Sequence, residues 1–187
     1  MRYFLFLFLF SFSILAANAQ DASVEQSTYG IQAGFLGVWG HYESKLSNSM
    51  ALRSELGLDA GIYSNSFIGT REFFLVPALT LEPRWYYNLN KRVSKSRRID
   101  GNSGNFVSIK TTYHPDIVIG SVADNLNFIS DISIIPTWGI RRHVGQHFTY
   151  ETGIGIGYIR YFKEKNVYLN DYDGLILNLH LRIGYRF

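Results

Sequence analysis

The chain has 187 residues, enough for one domain, and its lack of cysteine excludes a disulfide framework and thiolate chemistry. Charged residues make up 18% of it, against roughly 25% in a typical soluble domain, whereas aromatic residues reach 16%. The formal net charge of +3 is too small to indicate a nucleic-acid partner, so we expect none.

The N-terminus has the pattern of a secretory signal peptide. Arg2 precedes an uncharged apolar run at 3–17, and the tripeptide Ala-Asn-Ala at 17–19 matches a signal-peptidase site. The run is short for a transmembrane anchor, which needs about 20 apolar residues. The sequence therefore predicts a signal peptide at 1–19 and a single exported domain at 20–187.

Beyond residue 20, apolar and polar residues alternate in segments of ten to fifteen residues, separated by polar turns that contain Gly or Asn. This period of two is typical of β-strands with one apolar face. Seven segments are clear in chain order: YGIQAGFLGVWGH (29–41), ALRSELGLDAGI (51–62), LVPALTLEPRWYY (75–87), NFVSIKTTYH (105–114), DISIIPTWGIR (131–141), FTYETGIGIGY (148–158) and LNLHLRIGYRF (177–187).

Such strands fit either a soluble sandwich or lipocalin-like barrel, or an outer-membrane barrel whose apolar face meets lipid. The segment lengths favour the membrane barrel, because a tilted membrane strand needs about 9–11 residues and ordinary strands average nearer 5–6. The polar face also carries charges of both signs in mid-strand, which we expect to pair inside a narrow lumen. The predicted lumen network comprises Arg53, Glu55, Asp59, Glu82, Arg84, Lys110, Glu151, His180 and Arg182.

The aromatic residues favour the same architecture. If Phe187 lies at the periplasmic end and strand directions alternate, aromatic side chains on the apolar face gather at both strand ends, as in the interfacial girdles of membrane barrels. The predicted periplasmic girdle comprises Trp39, Trp85, Tyr87, Trp138, Phe148, Tyr150, Tyr185 and Phe187, and the outer one Tyr29, Tyr113 and Tyr158.

We therefore predict an all-β fold, an up-and-down antiparallel transmembrane β-barrel of eight strands located in the outer membrane. Bacterial barrels have an even strand number, so one strand must be added to the seven clear segments. The candidates for it are 20–28, 115–127 and 163–173. The outer loops, which would hold any binding function, are predicted at Ser64–Glu72, Pro115–Asn127 and Lys163–Asp173.

Several stretches resemble a known family. SELGLDAG, LTLEPRWYYNLNKR, NSGNFVSIKTTYHP, SIIPTWGIRRHVGQHFTYETGIGIGY and NLHLRIGYRF are similar to small outer-membrane β-barrel proteins of Bacteroidota-type Gram-negative bacteria. The resemblance covers nearly all of 20–187 and implies a barrel surrounded by outer-membrane lipids, without catalytic residues to carry over. The terminal aromatics Tyr185 and Phe187 resemble the signal by which such barrels contact the barrel-assembly machinery, and the resemblance implies recognition through pairing of the last strand.

Two motifs invite functional interpretations. GIGIGY at 153–158 has phosphate-loop spacing but continues as a strand, which favours small lumen-facing residues. The basic run Lys91–Arg98 falls in a periplasmic connection and is either a solvated turn or a contact for anionic headgroups or peptidoglycan. We expect no cofactor, no metal site and no catalysis, with a structural or surface-interaction role.

Two alternatives stay open. One is a lipid-modifying enzyme, an acyl hydrolase or transferase, that uses Ser133, His114, His180 and Glu151, although the chain has no G-x-S-x-G motif. The other is a narrow passive channel, which a lumen filled by charged side chains argues against.

Overall fold

The computed structural model describes residues 22–65, 70–119, 128–162 and 173–187. The predicted signal peptide at 1–19 lies outside these residues, as do 66–69, 120–127 and 163–172 in the predicted outer loops. Within the described part, no helix is both long and apolar enough to cross a membrane.

Eight strands form a closed antiparallel barrel in which each strand pairs with the next along the chain and the last pairs with the first. The predicted all-β, up-and-down, eight-stranded fold is therefore confirmed. The strands are β1 (Ser27–Gly34), β2 (Gly37–Lys45), β3 (Met50–Asn65), β4 (Thr70–Trp85), β5 (Asn105–His114), β6 (Asp131–Val144), β7 (Phe148–Tyr161) and β8 (Gly174–Arg186).

The strand missing from the sequence prediction comes from an unrecognised hairpin. The segment 29–41, predicted as one strand, turns back at Phe35 and Leu36, so that Gly34 pairs with Gly37. The turn lacks the Asn-Gly or Asp-Gly pair by which two-residue hairpins are recognised. None of the proposed locations for the extra strand, 20–28, 115–127 or 163–173, supplies a separate one among the described residues, although β1 begins inside the first.

We call the two ends of the barrel the terminal end, where β1 begins and β8 finishes, and the distal end. The connections at 46–49, 86–104 and 145–147 lie at the terminal end, and the tight turn at 35–36 lies at the distal end. The basic run Lys91–Arg98 is therefore at the same end as the C-terminus, as predicted.

The hairpin changes the expected position of two aromatic residues. Tyr29, predicted at the outer end, lies at the terminal end and stacks on Phe187 with ring centroids 6.0 Å apart. Trp39, predicted on the apolar outer face, points into the barrel and is 5% exposed. Both errors arise because a reversal at Phe35 inverts the direction of the chain and shifts the inward–outward alternation after it.

The other aromatic predictions agree with the fold. At the terminal end, the outward-facing exposed rings predicted for one girdle are Trp85, Tyr87, Trp138, Phe148, Tyr150, Tyr185 and Phe187. Tyr113 and Tyr158 are exposed near the distal end of their strands. Aliphatic side chains fill the outer face between these two zones.

The terminal end is closed by a compact structure that we call the terminal plug, residues 22–26 and 86–104. It contains a short α-helix, Leu89–Val93, and a 3₁₀ turn, Asp100–Asn102. A hydrophobic cluster joins the plug to the barrel wall. It comprises Ala22, Val24, Ala51, Tyr86, Leu89 and Phe106, with Ile99 packed against it.

Candidate functional site

The most elaborate arrangement of side chains is a network of ion pairs enclosed by the barrel. We call it the interior ion network. It comprises Glu43, Arg53, Glu55, Glu82, Arg84, Arg141, Glu151 and Arg182, each at most 4% exposed. Because an unpaired charge costs several kcal/mol in such a site, the pairing geometry decides whether the interior is stable.

Some of these pairs cross the lumen. Arg141 on β6 donates to Glu43 on β2 at 2.5 Å and to Glu151 on β7 at 2.8 Å. Strands β2 and β6 are four positions apart in the eight-stranded ring, so the first of these bonds joins opposite walls. Arg84 on β4 donates to both carboxylate oxygens of Glu151, at 3.0 and 2.8 Å. These side chains fill the lumen at their level, as expected for an eight-stranded barrel.

A second group of pairs centres on Glu55. It accepts a hydrogen bond from Arg53 in the same strand and from Arg182 on β8, whose Nη1 lies 2.8 and 3.0 Å from its two oxygens. The guanidinium of Arg182 also lies 3.8 Å from the ring centroid of Trp39, a cation–π contact. Arg53 donates in addition to Gln32 at 2.7 Å, which links this group to β1.

The predicted pairing of Arg53 and Glu55 with Glu82 and Arg84 takes a different form. The register of β3 and β4 sets Arg53 opposite Glu82, yet the structure gives no ion pair between these two residues. Glu82 pairs with Arg84 at 2.7 Å and accepts from Ser108 at 2.5 Å. Strands β3 and β4 therefore each supply their own i, i+2 pair. Further ion pairs cross the lumen, as in Arg84–Glu151, or join neighbouring strands, as in Arg53–Glu43 at 3.7 Å.

Two of the nine predicted network residues stand apart. Asp59 accepts from the Trp39 indole at 2.6 Å and lies 3.1 Å from His114, so its partners are an aromatic donor and a histidine. Lys110 is 9% exposed and, within the described residues, makes no hydrogen bond or ion pair. The remaining member, His180, lies 3.3 Å from Glu151.

Sequence reasoning missed Glu43 and the roles of Trp39 and Tyr86, and it placed Arg141 on a polar strand face without including it in the predicted network. Tyr86 donates to Glu43 at 2.7 Å, and Asn102 of the terminal plug donates to the same oxygen at 3.0 Å. The plug thus contacts the network directly through polar groups. The alternation of β2 places Glu43 on the inward face, but this could not be recognised while the hairpin was undetected.

Glycine makes room for the larger interior side chains. A Cβ added at Gly139 would lie 2.3 Å from the Phe106 ring, and one at Gly153 would lie 2.6 Å from His180. Gly153 opens the GIGIGY motif, which lies within β7 and has no helix after it. The motif therefore has the small-residue role expected from the sequence and lacks the helix N-terminus that a phosphate loop requires.

The residues considered for catalysis do not assemble into a nucleophilic site among the described residues. The two ring nitrogens of His114 lie 2.9 Å from Asp131 and 3.1 Å from Asp59, so both face carboxylates. His180 faces Glu151, and no hydrogen bond joins Ser133 to either histidine in the described part. A hydroxyl nucleophile needs a base within about 3 Å, and neither histidine fulfils that role for Ser133.

A small cavity lies between the barrel wall and the terminal plug. Its lining residues are Thr28, Gln32, His41, Gly101, Arg141, His143, Thr149 and Arg186, and its volume is about 10 Å³ measured to the centre of a water-sized sphere. Such a volume holds about one solvent molecule and is too small for an organic substrate. Among the described residues, no cluster of three or more His, Asp or Glu could hold a metal ion.

Compared with known proteins, the chain matches no protein-family profile, no curated protein and no solved structure. The structure itself defines the class, because its strand topology and buried charges are those of a small eight-stranded antiparallel barrel with a charged interior.

Proposed function

We propose that this protein is an outer-membrane β-barrel with a side-chain-filled lumen, and that its role is structural or one of surface interaction rather than catalytic. The single observation that carries the proposal is the inverted polarity of the barrel. Arg53 is 0% exposed inside, whereas Leu177 and Ile183 on the outer face of β8 are 64% and 71% exposed.

The extent of the outer apolar surface supports a lipid environment. Soluble monomers rarely expose contiguous apolar patches larger than a few hundred Å². Here the band runs around the barrel, with exposed aliphatic residues on most strands. Examples are Ile31, Leu56, Leu79, Ile109, Ile134, Ile154 and Leu179. A hydrocarbon solvent meets this band at no cost, while the strands close into a ring in which each described strand pairs with two neighbours.

The filled interior argues against the two alternative functions. A channel would need a continuous water-filled path, but cross-lumen bonds such as Arg141–Glu43 and Arg84–Glu151 occupy the barrel, and the terminal plug covers one end. An acyl hydrolase or transferase would need an activated hydroxyl, for which Ser133, 3% exposed, has no base in the described part.

The last strand supports a proposal about assembly. Tyr185 and Phe187 lie in T-shaped contact, 5.4 Å apart, at the terminal end. We propose that these exposed rings and the β8 backbone are presented to the barrel-assembly machinery before β8 pairs with β1, by addition of a strand to an exposed sheet edge.

The test combines three measurements on the same protein. Cells expressing it are fractionated, the outer-membrane fraction is analysed by gel electrophoresis with and without heating, and intact cells are treated with protease. We expect heat-dependent migration and cleavage restricted to the loops at the distal end. A protein recovered in the soluble fraction without detergent would contradict the proposal.

A further inference from the structure

The basic segment of the terminal plug is held in a fixed position against the barrel. Arg92, buried, donates through Nε and Nη2 to the Arg98 carbonyl oxygen at 3.0 and 2.7 Å, which folds the segment back on itself. Arg98 in turn makes a bidentate pair with Asp100 at 2.8 and 2.7 Å. The remaining basic side chains, Lys91, Lys95 and Arg97, are exposed on this folded segment.

This segment carries positive charge, because Lys91, Lys95 and Arg97 make no ion pair with any other described residue. Asp100 is the only acidic residue in the connection at 86–104, and the Arg98 hydrogen bond holds the pKa of that carboxyl below its usual value. Burial and the nearby charge of Arg97 lower the pKa of Arg92. The Arg97 backbone N–H donates to the Arg92 carbonyl oxygen at 2.9 Å, so two cationic residues lie close together here, an arrangement that favours an anionic partner.

The same charges adjoin the aromatic zone of the terminal end. Arg142, on the outer face of β6, pairs in register with Tyr150, and Asn105, which accepts from Arg142, donates to the Tyr87 hydroxyl at 3.3 Å. The Arg142 guanidinium is anchored by the Gly104 carbonyl at 2.8 Å and the Asn105 side chain at 2.5 Å.

A hydrogen bond fixes the aromatic rings beside this arginine. The Trp138 indole donates to the Tyr87 hydroxyl at 2.9 Å, so the two rings form one outward-facing pair. Amphipathic rings of this kind lie at the headgroup level of a bilayer.

We infer that Lys91, Lys95, Arg97 and Arg142, together called the basic belt, bind the phosphates of anionic phospholipid headgroups in the leaflet at the terminal end. The inference rests on the proposed outer-membrane function. A phosphate next to Arg97 would supply the negative charge that this region lacks. The adjacent aromatic rings lie at the headgroup level of the bilayer, which is where the lipid phosphates lie. A cell-wall polymer would equally supply negative charge, but it would not need the basic belt to adjoin the aromatic zone.

The protein contains a suitable built-in probe. Of the three tryptophans, Trp85 and Trp138 are exposed on the outer face at the terminal end, and Trp39 is enclosed. Brominated lipids quench tryptophan by contact. The Trp39→Phe variant keeps both outer tryptophans and is refolded into two kinds of vesicle. Both contain unlabelled phosphatidylcholine, mixed with brominated phosphatidylcholine in one and with brominated phosphatidylglycerol in the other.

We expect phosphatidylglycerol to quench more strongly than phosphatidylcholine at equal mole fraction. The Arg97 side chain makes no hydrogen bond among the described residues, so Arg97→Gln removes a charge without breaking such a contact. We expect this variant to show a preference about five-fold lower, since one cation near an anionic surface contributes about that factor. The matched control is Arg160→Gln, which removes one charge from the exposed outer face near the distal end and should leave the preference unchanged.

Each contrary outcome has a distinct meaning. Strong quenching by both lipids without preference overturns the basic belt but leaves the membrane proposal standing, whereas no quenching by either lipid overturns the proposed function. An equal loss in Arg160→Gln shows a net-charge effect and overturns the inference. Binding to purified peptidoglycan that Arg97→Gln abolishes, without lipid preference, assigns the belt to the cell wall instead.

Discussion

Glu55 and Leu56 are neighbours in β3, yet their surroundings are opposite. Glu55 is 4% exposed and accepts from two arginines, whereas Leu56 is 65% exposed on the outer face. In a water-soluble barrel these two environments would be exchanged. The difference teaches that the same kind of strand can enclose polar groups and expose apolar ones, which suits the lipid surroundings that we propose. We therefore expect substitutions on the two faces to lower the free energy of unfolding for different physical reasons.

The largest expected effect is on the inner face, at Glu151. Glu151→Ala removes the acceptor shared by Arg84 and Arg141 and leaves both guanidiniums buried without it. We expect the free energy of unfolding to fall by about 3–5 kcal/mol, measured by urea titration in lipid vesicles. The control is Ile154→Ala on the outer face of the same strand, which leaves no charge unpaired. Equal losses in the two variants would contradict the distinction between the faces.

A charge placed on the outer face tests the other side of the comparison. Leu179→Arg, in the middle of β8, should lower the free energy of unfolding by about 2–4 kcal/mol in a bilayer. Leu175→Arg, close to the distal end of the same strand, should cost about 0–1 kcal/mol, because the charge there reaches water. The same small cost at both positions would show that the outer face does not meet hydrocarbon.

A smaller effect is expected at Glu82, where the network is redundant. Glu82→Ala removes the acceptor of Ser108 and one of two carboxylates bound by Arg84, which keeps Glu151. We expect a loss of about 1–3 kcal/mol in the unfolding titration, less than for Glu151→Ala. Glu82→Gln retains an acceptor oxygen for Ser108 and should therefore lose less stability than Glu82→Ala. An unchanged unfolding midpoint in Glu82→Ala would show that the pairing contributes nothing.

The smallest effect concerns the contact between the plug and the network. Tyr86→Phe removes the hydroxyl that donates to Glu43 and keeps the ring in the hydrophobic cluster, so we expect a loss of about 1 kcal/mol. Tyr42→Phe, at an exposed ring on the outer face, is the matched control and should change stability by less than this. If the two substitutions had equal effects, the plug would not stabilise the network through this bond.

Much of the architecture was predictable because its signals are local. Period-two alternation located most strands and assigned Arg53, Glu82, Glu151 and Arg182 to the interior. The hairpin at Phe35 was not predictable, since its central residues have no turn preference and apolar residues continue through it. One missed reversal then misplaced Tyr29 and Trp39 and concealed Glu43.

The partners within the network could not be predicted from the sequence. Alternation places Arg141 on the inward face, but its bond to Glu43 depends on strand order, register and side-chain length across the lumen. The terminal plug was missed for a related reason. Its basic surface, Lys91 to Arg98, suggested a solvated turn, whereas Tyr86 and Leu89 on either side of a short turn insert into the barrel end.

The most direct test of the central claim measures which solvent touches the outer face. The chain has no cysteine, so single cysteines introduced at Leu177, Leu179, Leu181 and Ile183 can each carry one spin label, with Lys95→Cys as a water-exposed reference. In vesicles, we predict that the four β8 labels collide readily with oxygen and hardly with a water-soluble nickel complex, the reverse of the label at Lys95. Free access of the nickel complex to the labels at Leu179 and Leu181 would contradict the account.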